Sequence, residues 1–164
     1  MGSHEDPCRR VDDIDHEFKN KYPSFLGCYM ASVFKADQLL KSIVGMLNNQ
    51  QRPWSLIFTS DHAQNFKKTS KGYYALRDDT IKQQYSIPFI ELGSNIKETH
   101  IVDITQSAFA FPLWFPRWIG VETNKTPIGF SIYNDPIPVF VVGFQKTKKL
   151  SELKEGLKAK DIVP

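Results

Sequence analysis

Cysteine is scarce in this chain. Cys8 and Cys28 are its only two among 164 residues, too few for a disulfide framework and at a spacing that fits no zinc knuckle. Two free or buried thiols and one disulfide in an oxidising compartment both stay open. Long apolar runs are absent too. The best stretch, Ser107 to Pro116, is short, contains two prolines and runs into Arg117, well below the roughly 18–20 residues that span a bilayer. No apolar segment follows Met1, so no signal peptide is visible; taken as complete, the chain reads as cytoplasmic. Charge of one sign is also missing in bulk: 21 basic residues against 18 acidic give a formal net charge of +3. The densest basic stretches, Lys67-Lys68 with Lys71 and Lys146 with Lys148-Lys149, read as solvated surface. No basic-aromatic stripe points to nucleic acid, and there are no repeats or low-complexity segments.

What is present is an apolar fraction of 41% with 13% aromatics, a composition that builds a packed body. Residues 1–164 fit one domain with a single core. Residues 1–24 are polar and read as a loop. From Phe25 the pattern turns helical: Tyr29, Val33, Ala36, Leu40, Val44 and Leu47 recur at three- and four-residue intervals, and Asn48-Asn49 before Pro53 ends the helix. Trp54 to Thr59 is a short apolar run of the kind buried on both faces of a mainly parallel sheet, and helix plus strand form half of a crossover unit. Residues 63–85 read as a long surface loop, and Ser86 to Leu92 as a second strand closed by Gly93. Ile101, Ile104 and Ala108 fit a helix whose apolar end is the aromatic stretch to Phe115. Phe130 to Tyr133 and Val139 to Phe144 flank the turn residues Asn134-Asp135-Pro136 and predict a C-terminal hairpin. Leu150 to Lys160 reads as a charged helix containing Gly156. The predicted class is α/β.

Chemistry concentrates at Ser60-Asp61-His62, where the first strand leaves the sheet. In open α/β sheets ligands bind beyond the carboxyl ends of the strands, and carboxylate oxygen and imidazole nitrogen both ligate zinc at about 2.0–2.2 Å. A solvated turn is the plain alternative. His16 and His100 sit among polar residues and read as surface histidines.

Leu56-Ile57-Phe58-Thr59-Ser60-Asp61-His62 resembles the strand and metal-binding turn of bacterial phosphoethanolamine transferases, members of the sulfatase and alkaline phosphatase superfamily. Other matching features follow in the family's order. They are Gly2-Ser3-His4, Cys8-Arg9-Arg10, the helix Tyr29 to Leu47 with Asp37, Gln84-Tyr85-Ser86-Ile87-Pro88, and the segment Asp103 to Val121. The resemblance covers roughly residues 1–125. It departs where the family's Gly-Glu after the metal pair is replaced by Ala63-Gln64, and where Tyr73-Tyr74-Ala75-Leu76 stands in the region of a second loop histidine.

The resemblance implies a partial alkaline-phosphatase-like sheet with flanking helices, the C-terminal part of a catalytic domain. It implies Asp61 and His62 as zinc ligands and His4 beside phosphate or substrate. The implied reaction passes phosphoethanolamine from a phospholipid head group to a lipid A or glycan acceptor, in a periplasmic domain anchored to the inner membrane. The family's threonine nucleophile and a glutamate ligand precede the motif matched by Gly2-Ser3-His4, so that motif reads as internal to a longer domain. The expectation is an incomplete site that holds zinc weakly, in a truncated protein inactive alone. A non-enzymatic remnant or interaction module, and a sulfatase- or phosphatase-like hydrolase, are the alternatives.

Overall fold

The computed structural model describes residues 6–9, 11, 18, 21–22, 24–121, 139–142 and 147–162. Helix α1 spans Ser24–Asn48, within a residue or two of its predicted limits. It ends where Asn49 and Gln50 turn their N–H groups back onto Gly45 and Leu47 and Gln51 takes a left-handed φ of 53°, two residues before Pro53. Its N-terminal turns carry core residues: Leu26, Cys28 and Ala31 are buried, whereas Val33 and Leu39 further along are exposed. The apolar period is that of a helix, but burial is confined to its first third.

Cys8 and Cys28 form a disulfide, which settles the question that composition left open. It joins the short 3-10 turn Pro7–Arg9 to the second turn of α1, with Pro7 fully buried beneath it.

Strand β1, Ser55–Thr59, follows α1 after a short turn fastened by Trp54, whose indole donates to the Asn48 side chain (3.1 Å). Its partner is β4, Phe89–Gly93. The pairing is antiparallel, with Thr59 opposite Phe89, Ile57 opposite Glu91 and Ser55 opposite Gly93, and the two form a two-stranded sheet. The expected parallel, doubly buried environment is therefore corrected: β1 is half-buried in its middle and exposed at both ends. Residues directly opposite share a face and alternate along the strand. Thr59, Ile57, Phe89 and Glu91 thus line one face, and Leu56, Phe58, Ile90 and Leu92 the other. The second face is wholly apolar and the first carries Ile57 and Phe89, which is why the run reads as doubly buried.

The predicted loop over 63–85 is replaced by an antiparallel hairpin of β2, Asn65–Thr69, and β3, Gly72–Leu76. Ser70-Lys71 form a two-residue connection. The hairpin needs a positive φ after it, which Gly72 supplies at 109°. Polar composition hid this strand pair, since Asn65, Lys67, Lys68 and Thr69 show no apolar alternation. Phe66 is the exception and docks the hairpin onto α1, its ring edge-on to Tyr29 (4.9 Å) and Phe25 (6.3 Å).

Helix α2 is Phe111–Trp118, preceded by a 3-10 turn over Ala108–Ala110. The predicted helical stretch from Ile101 is not helical, and Ile101 is almost wholly exposed. Near the C-terminus β5, Phe140–Val142, pairs antiparallel with β6, Thr147–Lys149. A C-terminal hairpin is present, but its second strand is lysine-rich, and residues 130–133, its expected first strand, lie outside the described residues. Leu150 to Lys160 is not one helix. It is a 3-10 turn over Leu150–Glu152, an extended strap through Gly156, and the short helix α3, Ala159–Ile162. The charges that suggested a helix serve the strap: Glu155 pairs with Lys82 at 2.7 Å.

Candidate metal site at the end of strand β1

Ser60, Asp61 and His62 leave β1 in a turn that folds on itself. The Ser60 hydroxyl donates to the His62 carbonyl (2.7 Å), and the His62 backbone N–H donates to Asp61 Oδ1 (3.0 Å). One carboxylate oxygen is thereby used by the turn, and the other, Oδ2, faces His62 Nε2 at 4.0 Å. A tetrahedral zinc with ligands at about 2.0–2.2 Å places neighbouring donor atoms about 3.3–3.6 Å apart, closer than this pair, so sharing one ion would need the two side chains to rotate. The Asp61 carboxyl is held below the usual carboxylate range, first by the His62 N–H and then by charge on the His62 ring. It is therefore ionised, as a ligand must be.

The second ring nitrogen of His62 matters as much. Nδ1 lies 3.2 Å from the Ala63 carbonyl oxygen. A carbonyl can only accept, so this bond requires a proton on Nδ1, and in the neutral ring the lone pair then belongs to Nε2. Ligating histidines commonly donate their other N–H in this way.

The turn is anchored from below. Ala63 N–H donates to the Gln84 carbonyl (3.2 Å), and the buried Gln84 amide returns a bond from Nε2 to Ala63 O (2.9 Å). The resemblance puts Gln84 at the start of a strand; the structure places it in the 3-10 turn Lys82–Gln84. That turn is held by Asp78, whose Oδ1 accepts from Thr80 Oγ1 (2.7 Å) and Thr80 N (2.9 Å). These bonds keep the Asp78 carboxyl low, so its stabilisation is fully present above the unfolded value of about 4 and is lost as pH falls through the lower folded value. Asp78→Asn should flatten the loss of stability between pH 5 and pH 2 in urea denaturation. The slope should shrink rather than vanish, because Asp61 and Glu155 are shifted in the same direction. An unchanged acid limb would show that Asp78 is not ionised to advantage in the fold.

Of the predicted site residues, Asp61 and His62 come together, while His4 lies outside the described residues, as does His16. His100 is exposed, as expected. No cluster of three or more His, Cys, Asp or Glu positioned to hold a metal occurs among the described residues. Nor does a cleft elsewhere among the described residues coincide with the pair. That cleft, of about 670 Å³, lies between the strap and the 82–86 region and includes Lys82, Ser86, Thr105, Lys149, Ser151 and Glu155 in its lining, but neither Asp61 nor His62. The Asp61 and His62 side chains are both well exposed, at 87% and 43%, so the donors open outward.

Residues 1–118 match the family model for Sulfatase. The chain belongs to the sulfatase family. Among curated proteins it is 28% identical over 156 residues to phosphoethanolamine transferase OpgE of Escherichia coli K12, a match covering 90% of this chain and 28% of that protein. It is 30% identical over 100 residues to phosphoethanolamine transferase EptA of Helicobacter pylori, covering 60% of this chain and 19% of the relative. A putative phosphoethanolamine transferase of Haemophilus influenzae is 29% identical over 96 residues, covering 54% of this chain and 20% of its own length. The chain thus spans less than a third of the curated relatives it matches. No solved structure matches it. The sulfatase-type chain is mixed helix with small antiparallel sheets, a partial α/β domain, and among its described residues no helix is long and apolar enough to cross a membrane.

Proposed function

We propose that Asp61 and His62 supply two ligands of a divalent zinc centre in a phosphoethanolamine-transferase-type site. The observation that carries this reading is the 4.0 Å approach of Asp61 Oδ2 to His62 Nε2 at the carboxyl end of β1, with Oδ1 and Nδ1 each already occupied by backbone. A zinc ion there would polarise a phosphoryl oxygen and lower the pKa of a coordinated hydroxyl. The residues themselves present an ionised carboxylate and an imidazole, and hold both by backbone bonds before any ligand arrives. A catalytic zinc takes about three protein ligands and keeps an open position. At least one further ligand therefore comes from outside the described residues. His4 is the substrate-side candidate by resemblance.

Relatives named as phosphoethanolamine transferases support a phospholipid head group as donor and a lipid A or glycan hydroxyl as acceptor. Asp61 and His62 by themselves fall short of the about three protein ligands of a catalytic zinc, which supports a partial site without transfer activity from these residues alone. The Cys8–Cys28 disulfide supports an oxidising, extracytoplasmic compartment.

Zinc titration followed by the His62 ring resonances tests the proposal. The chain should bind zinc weakly and reversibly, and Asp61→Ala should raise the midpoint by at least about tenfold, the lower end of what loss of a supporting group costs a metal site. Equal binding by the parent chain and Asp61→Ala would remove the assignment. In parallel, the purified chain should release no phosphoethanolamine from phosphatidylethanolamine vesicles above background.

A further inference from the structure

We infer that Gln84 is a positioning residue that selects the metal-ready tautomer of His62 through the Ala63 carbonyl. The inference rests on the metal-site reading above and adds to it a residue that touches neither metal nor substrate.

The Ala63 carbonyl oxygen receives two donors, His62 Nδ1 at 3.2 Å and Gln84 Nε2 at 2.9 Å. Both lone pairs of that oxygen are thus engaged. Were the peptide plane to rotate, the His62 bond and the Gln84 bond would be lost together. Gln84 resists rotation at both ends of the residue: its side chain holds Ala63 O while its own carbonyl accepts Ala63 N–H at 3.2 Å. The amide is also fixed in orientation. Its Oε1 accepts from Asp78 N–H at 3.4 Å, which requires the NH₂ end to face Ala63 and excludes the flipped amide.

The turn bearing Gln84 is rigid for a reason visible further along the chain. The strap runs beside it as a parallel bridge of Ile81 with Lys154. Lys154 N–H donates to Thr80 O and Lys82 N–H to Lys154 O, both at 2.9 Å. Gln83 accepts from Gly156 N–H at 2.5 Å and donates to Glu155 at 3.0 Å. Gly156 has no room for a side chain, since a Cβ there would sit 2.6 Å from Ile81 Cγ2 and 2.9 Å from Gln83 Oε1. Residues 150–156 lie beyond the span matched by the sulfatase family model, yet they brace the turn that aims the candidate ligand.

The experiment compares the intact chain with Gln84→Ala and Gln84→Met, the second preserving side-chain volume without a donor. Long-range proton–nitrogen NMR at pH 8, without metal, reports which His62 nitrogen carries the proton; zinc chloride titration on the same samples reports affinity. The parent should hold its proton on Nδ1. Both variants should move toward a mixture of tautomers and raise the zinc midpoint about 10–100-fold. Leu153→Ala, which removes the buried anchor of the strap without touching Ala63, controls for general loss of stability and should leave more of the Nδ1 tautomer than either Gln84 variant. A folded Gln84→Met with the parent's tautomer overturns the inference, and so does a parent chain protonated on Nε2. If the parent's His62 ignores zinc but Gln84→Met still shifts the tautomer, the metal assignment fails and the positioning role stands.

Discussion

Trp114→Ala should lower the stability of this chain by about 3–5 kcal/mol, the range for truncating a large aromatic in a packed core. Trp114 is 7% exposed and is the largest side chain among the nine buried apolar residues described. Its ring stands edge-on to Phe89 at 5.5 Å and tilts against Phe111 and Trp118 at 5.7 and 5.9 Å. Contacts of this geometry add about 0.5–1.5 kcal/mol beyond area burial. Helix α2 is eight residues long with Pro116 inside it, so backbone propensity alone does not hold it. The rings do, together with the Trp118 indole, which donates to Glu91 at 2.9 Å. Phe89 and Glu91 belong to β4, and Phe89 is paired with Thr59, the residue before the Ser60-Asp61-His62 turn. Loss of Trp114 should therefore weaken the zinc response of His62 as well as the fold. Urea denaturation monitored by circular dichroism gives the first quantity. Val142→Ala, at a residue 65% exposed, should cost no more than about 0.5 kcal/mol. A Trp114→Ala loss below 1 kcal/mol would mean that α2 is not packed on β4 in solution.

The elements that sequence reading placed well are those whose own residues carry the signal. Helix α1 has a sustained apolar period and a polar stop. β1 has an apolar run cut off by Ser60-Asp61-His62, and the side-by-side carboxylate and imidazole were legible from adjacency and strand exit alone. The failures share a different physics. The β2–β3 hairpin is held by Phe66 on Tyr29 and by the left-handed Gly72, not by alternation. The strap is held by Glu155, Lys82 and Gln83, so its charges mark tertiary pairing and not a helical surface. The antiparallel partner of β1 depends on a segment 30 residues away, which no local pattern encodes. Gln84 was visible as a letter in a motif, but a buried amide bridging two turns has no sequence signature. The disulfide was undecidable for the same reason: two cysteines twenty residues apart in sequence become a bridge only once α1 and the Pro7 turn are packed together.

Breaking that bridge is the second large perturbation. Closing a loop of this length removes unfolded-state entropy worth about 3 kcal/mol in the chain-entropy treatment. Cys8→Ser isolates the effect, because Cys8 is exposed whereas Cys28 is buried and can persist there as a small apolar thiol. Cys8→Ser and the parent chain treated with dithiothreitol should lose the same stability, about 3 kcal/mol each, and reductant should not affect Cys8→Ser further. The loss should fall on the part of α1 that is packed, the turns bearing Leu26, Cys28 and Ala31, since nothing else described pins the Pro7 turn covalently. Hydrogen exchange should therefore accelerate there before it does at β1 and β4, and the Asp61–His62 turn should keep its zinc response while the remainder stays folded. Equal stability with and without reductant would show that the bridge does not restrain the unfolded chain. A contribution of roughly 3 kcal/mol from a disulfide, against a total of about 5–15 kcal/mol for ordinary domains, would tie the fold to the oxidising compartment proposed for it. The same measurement thus bears on where the chain can work.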